Sequence, residues 1–275
     1  MSHSRTLVLK PTSGWRAIDF AEIWAYRELM AIFAWRDLKV RYRQTLLGAV
    51  WVMGQPIVSM LIFTLLFRRV AQLRVSTEVP YPVFVLAGLV IWNFVAGAIN
   101  RSGNSLIGAS HLISKVYFPR LVVPLSNVVT DLVDFALAAM LLIPLMAWYR
   151  VTPGLEIVLL PLAVLLATIF ALGAGLWVAA LNIEYRDVRI VVPWIVQIAM
   201  YATPVVYPLS ALPERYRLVA MFNPMAGIVE TFRATLFGTP FPRWPLAWSV
   251  VTSVVLLVSG AFYFRRVERR FADLL

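Results

Sequence analysis

The chain has 275 residues, of which 61% are hydrophobic and 14% charged. A soluble domain carries about 45–50% apolar and about 25% charged residues, so the composition excludes an ordinary soluble globular domain and implies an all-α integral membrane protein. The formal charge of +11 could point to nucleic acid, but the Lys and Arg residues stand at the ends of apolar blocks, where topology uses them, so lipid headgroups are the expected acidic partner.

The first 20 residues are polar and contain no apolar h-region, so no cleavable signal peptide is expected. The arm that follows carries Trp15, Trp24, Tyr26 and Trp35 among charges. It reads as an interfacial helix or as a plain cytosolic one, since it shows no clean apolar face. Residues 36–43, Arg-Asp-Leu-Lys-Val-Arg-Tyr-Arg, form a stop and an anchor directly before the first apolar run.

Six apolar blocks then occupy roughly 46–67, 82–100, 121–148, 155–181, 190–209 and 245–264. Each has the ~20 residues that a helix needs to cross a hydrocarbon core of ~30 Å. Six spans and their loops use the whole of 1–275, which reads as one domain. Prolines at 56, 124, 144, 161, 193 and 204 fall inside the blocks and bend helices there.

Segment 210–244 mixes prolines and charges with apolar residues, and its helical stretch, 225–237, is too short and too charged to span. Residues 225–237 are expected to form a short helix capped by Asn223, with Pro224 in first position. We read one or two helices dipping into the outer leaflet, or a re-entrant segment.

Six spans put both termini on one side. That side carries 17 Lys and Arg, in 1–45, 101–120, 182–190 and the C-terminal tail; the other side carries 8. The positive-inside rule places both termini in the cytoplasm, although Arg68 and Arg69 oppose it locally.

Chemistry-bearing motifs are sparse. Cysteine is absent, which excludes disulfides, thiolate metal sites and cysteine nucleophiles. There is no GxxxxGK[ST] loop to cradle a nucleotide and no HExxH. His3 and His111 are too few for a histidine metal site, so no metal or cofactor is expected in this chain. Asn127, Asp131 and Asp134 fall on one helix face in the third block. They form a proton relay or acid/base pair, or a polar stripe satisfied by neighbouring helices or water; no basic residue within a block is available to pair with them.

Aromatic placement carries more information. Trp51, Gln55 and Ser59 follow at four-residue steps, with Phe63 drifting off that face. Trp194, Gln197 and Tyr201 make a second face. Stripes of flat rings with amides or hydroxyls suit sugars; packing and aromatic belts are the alternative.

Residues 36–48 with Trp51 and Gln55-Pro56 resemble the opening of permease subunits of ABC-2 type polysaccharide exporters. Phe118-Pro119-Arg120, Tyr185-Arg186-Asp187, residues 204–208, and Phe222-Asn223-Pro224 with Arg233 match further motifs in order, so the resemblance covers about residues 30–240. It implies an inner-membrane permease that pairs as a homodimer and docks on a separate cytoplasmic ATPase, which binds ATP and Mg. The cargo would be a lipid-linked polysaccharide such as O-antigen.

By the same resemblance, residues 105–116 would be a coupling helix, with Ser105, Leu106, His111, Lys115, Tyr117, Arg186 and Asp187 facing the ATPase. Tyr207, Asn223, Glu230 and Arg233 would belong to outer gate helices, and the two aromatic stripes would line the sugar path. Rival readings are a drug or small-lipid efflux permease of the same architecture, an integral-membrane sugar transferase using Asp131 and Asp134, and a proton-coupled transporter dependent on the same carboxylates.

Overall fold

The computed structural model describes residues 20–43, 49–67, 79–113 and 115–268. Trp15, His3, Arg68, Arg69, residues 44–48 and the end of the tail lie outside them. Among the described residues every regular element is a helix.

Helices α1 (Phe20–Ala25) and α2 (Arg27–Arg43) form the arm, and α3 (Ala49–Leu65) follows. Next come α4 (Tyr81–Gly108), the short α5 (Ser110–Ile113), α6 (Val122–Ala139) and α7 (Leu142–Trp148). A 3₁₀ turn at Leu155–Leu159 leads into α8 (Leu160–Glu184), followed by α9 (Val188–Ala202). The chain closes with α10 (Glu214–Met221), α11 (Pro224–Phe237) and α12 (Arg243–Glu268).

Helix α4 is the axis of the bundle. Its residues from Val83 to Val95 are buried almost without interruption, as expected of a helix that is apolar all round and enclosed by others. Helices α8, α6, α3, α11 and α9 all pack on it, and α12 packs on α8 and α11. One large core follows α4 from Val83 to Ile99. A second lies at the Gly108 end and includes Leu106, Phe33, Phe118, Val122, Leu176 and Phe264.

Small residues set the closest helix approaches. A Cβ on Gly173 of α8 would lie 2.5 Å from the Leu257 backbone nitrogen of α12, and one on Gly260 would lie 2.7 Å from the Gly173 carbonyl oxygen. Between membrane helices there is no water to expel, so dispersion at short range has to hold the pair.

Four helical segments are long and apolar enough to cross a membrane: Tyr81–Gly108, Val122–Trp148, Leu155–Glu184 and Arg243–Glu268. The first and fifth apolar blocks give shorter helices of 17 and 15 residues, about 25 and about 22 Å long. The expected fifth span over 190–209 ends at Ala202 because Pro204 follows. Thr203, the residue before it, takes an extended conformation with φ −103° and ψ 142°, as a pre-proline residue must.

Proline also divides the third block. Pro144 has no N–H for the Met140 carbonyl four residues back. The chain turns at Met140 and Leu141, and Met140 accepts instead from the Ile143 amide at 3.3 Å.

Candidate functional sites

Helix α6 carries the polar stripe. Asn127 donates to the Val123 carbonyl of its own helix at 3.0 Å. Asp131 and Asp134 are both buried, with Asp131 only 1% exposed. Both are paired, by basic residues that lie outside the apolar blocks as read from the sequence.

Arg101 of α4 ion-pairs with Asp131 and lies 3.7 Å from Asp134. Arg41 of α2 ion-pairs with Asp134 and lies 3.7 Å from Asp131. Tyr42 donates its hydroxyl to Asp134. Burial first, and then that hydrogen bond, raise the Tyr42 hydroxyl pKa, so it stays protonated and donating.

These partners were missed for a physical reason. A hydropathy block stops at its first charge, so the second block ended at Asn100. The helix instead continues to Gly108 and carries Arg101 inward against α6. Arg41 comes from an element that sequence periodicity could not orient.

A second cluster lies at the opposite end of α4. Arg233 of α11 is 2% exposed. Its guanidinium donates to the carbonyls of Phe84 at 3.2 Å, Pro204 at 2.8 Å and Val205, and pairs with Glu230 at 3.2 Å. It also stacks on the Phe84 ring, 3.5 Å from the centroid. Gly88 makes room: a Cβ there would lie 2.3 Å from Arg233 Nη2 and 2.4 Å from the Val205 oxygen.

Asn223 caps α11 as expected. Its side chain accepts from the Met225 amide at 3.0 Å and donates to Thr203 Oγ1 at 2.9 Å. Tyr207 donates to the Tyr201 carbonyl at 3.0 Å. The structure therefore brings Tyr207, Asn223, Glu230 and Arg233 together around the non-helical segment after α9. Sequence reasoning had singled out these four, and residues 204–208 as a motif, but not Phe84 or Gly88, nor that the Pro204 and Val205 carbonyls are what Arg233 holds.

The two aromatic stripes lie on the two short helices, and each helix packs on α4. Trp51 is 65% exposed, Trp194 70% and Tyr201 59%; Gln55 and Gln197 are also exposed, while Ser59 and Phe63 are half-buried. Within one chain these rings have little cover.

The expected helix over 105–116 is broken at Ala109. Ser105 and Leu106 lie inside α4 and are buried, and Ser105 donates to the Ser102 carbonyl at 2.7 Å. These two residues are therefore not on a free surface, a correction to their expected place. His111, Lys115 and Tyr117 are exposed on the tip that follows, and Arg186 and Asp187 are exposed in the turn before α9.

A bundle of long apolar helices, with its charges paired inside and its aromatic faces turned outward, defines a multi-pass membrane protein. The chain belongs to the ABC-2 type transporter family, whose profile matches residues 28–237. It is 31% identical over 255 residues to the O-antigen export system permease protein RfbA of Myxococcus xanthus, covering 92% of this chain and 97% of that one. A Klebsiella pneumoniae protein of the same name is 28% identical, covering 90% and 95%. The polysialic acid transport protein KpsM of Escherichia coli is 24% identical, covering 85% and 91%.

Proposed function

We propose that this chain is the membrane permease of an ATP-driven exporter that moves a lipid-linked polysaccharide of the O-antigen kind across the cytoplasmic membrane. The observation that carries the reading is the end-to-end likeness to an O-antigen export permease, together with the exposed Trp, Gln and Tyr stripes of α3 and α9. Sugars offer C–H faces to flat rings and hydroxyls to amides. The path would run along Trp51, Gln55, Ser59 and Phe63 on one side and Trp194, Gln197 and Tyr201 on the other.

A long polar polymer needs a wall on every side, and one chain supplies only part of one. Two copies with their stripes facing each other would enclose it, so we place a homodimer around the path. In this arrangement α3, α4, α6–α7, α8, α9 and α12 are six spans of a single domain with both termini cytoplasmic. The short helices α10 and α11 gate the outer end.

His111, Lys115 and Tyr117, with Arg186 and Asp187, form the surface for a cytoplasmic ATPase, which supplies the energy with its own ATP and Mg. The engagement of Asp131 and Asp134 by Arg41 and Arg101 speaks against a free carboxylate for sugar transfer or proton relay.

The test is reconstitution of this chain with its partner ATPase in vesicles, using lipid-linked polysaccharide as cargo. ATP-dependent translocation that persists after the proton gradient is collapsed is the expected result. Translocation without ATP, or turnover of the sugar by the isolated chain, would overturn the reading.

A further inference from the structure

Helix α2 is attached to the bundle at two places. Phe33 packs edge-on against Phe118 at 5.7 Å, in the segment between the exposed tip and α6. Two turns further along, Arg41 and Tyr42 hold Asp134, which lies about 18 Å into α6 at 1.5 Å per residue. The chain then passes through only five residues, 44–48, before α3 and its Trp51 stripe begin.

The upper attachment is a closed set of alternating charges. Each of Arg41 and Arg101 stands within 4 Å of both Asp131 and Asp134. The set ties α2, α4 and α6 together, and the fully buried Asp131 would be a costly charge without its counter-ion. Its members are therefore held in one arrangement more firmly than apolar contacts alone would hold them.

We propose that Arg41, Tyr42, Arg101, Asp131 and Asp134 form a clasp that makes α2, α4 and α6 one rigid lever, so that displacement of the tip that carries His111, Lys115 and Tyr117 is delivered to α3. The clasp rests on the transport reading above and assigns positioning roles to five residues that touch neither cargo nor nucleotide. With the clasp closed, a push on the tip moves Phe118 and Phe33 together and carries the end of α2 toward α3. With it open, α2 yields and the push is lost.

The decisive variant is Asp134→Asn with Arg41→Gln, which removes one acid and one base and leaves no charge orphaned. In the full-length chain, backbone amides of α2 should exchange with deuterium about tenfold faster, while those of α8 stay unchanged. In vesicles with the partner ATPase, export should fall about tenfold while ATP hydrolysis stays within about twofold, a size usual for coupling mutations. The conservative variant Arg41→Lys, which keeps every charge of the set in place, should retain more α2 protection and more export than the neutral variant.

If the neutral variant does not fold, Tyr42→Phe carries the test with a smaller rise in α2 exchange. Unchanged α2 protection, or wild-type export in the neutral variant, overturns the clasp. If the unaltered complex fails to export at all, the transport reading falls, and α2 exchange still decides whether the clasp exists.

Discussion

Arg233 stands with its guanidinium 3.5 Å from the centroid of the Phe84 ring and donates to the Phe84 carbonyl at 3.2 Å. One side chain of α11 thus grips both the backbone and the ring of α4. Through Pro204 and Val205 it also holds the non-helical segment that ends α9. Those carbonyls have lost their helical donors and, in a dry interior, need others. The buried cation supplies them.

Replacing Arg233 with Ala leaves the Pro204 and Val205 carbonyls without this donor and Glu230 without its cation. The expected loss is about 3–5 kcal/mol, read as a lowered unfolding midpoint of the purified protein in detergent. Arg233→Lys should recover only part, because an ammonium lacks the planar fork that reaches carbonyls on separate elements.

Gly88→Ala should destabilise by about 1–3 kcal/mol. The added methyl would stand 2.4 Å from the Val205 oxygen, and backbone cannot swing aside. Gly54→Ala in α3 is the control. Nothing lies within 4 Å of a Cβ there, so helix propensity should stabilise it by up to about 1 kcal/mol. The comparison is a pair of melting curves.

Gly173→Ala should separate α8 from α12. Its Cβ would meet the Leu256 carbonyl carbon at 2.7 Å and the Leu257 amide nitrogen at 2.5 Å. A loss of about 1–3 kcal/mol is expected, with faster amide exchange in α12 than in α4. Equal protection in the variant and the unaltered protein would contradict the close crossing.

Asn223→Ala removes the cap of α11 and the link to Thr203, at a cost of about 1–2 kcal/mol. Asn223→Asp keeps an acceptor for the Met225 amide but loses the donor to Thr203 Oγ1. Its unfolding midpoint should fall between those of the Ala variant and the unaltered chain.

Trp194→Ala should leave the fold intact, since the ring is 70% exposed in the single chain, yet reduce polysaccharide export about tenfold. That is one base-10 step of about 1.4 kcal/mol, the order of a ring-stacking contact. Trp194→Phe, which keeps a flat face, should retain most of the activity. Export measured beside the melting temperature separates a path role from a packing one.

The chain's own order of residues determined its solvent, its helical class and the cap of α11. Long apolar runs cannot fold in water as separate soluble helices, and an Asn-Pro pair acts on its nearest neighbours, so the Asn223 cap could be read locally, whereas at Pro144 and Pro204 the helices end where only a bend was expected. Pairing could not be read that way. Asp131 finds Arg101 across 30 residues, and Asp134 finds Arg41 across 93. Arg233 closes on carbonyls whose side chains take no part. Which charge is buried and which carbonyl needs a donor is settled only when helices meet, because those costs arise from exclusion of water by neighbours that no stretch of sequence contains.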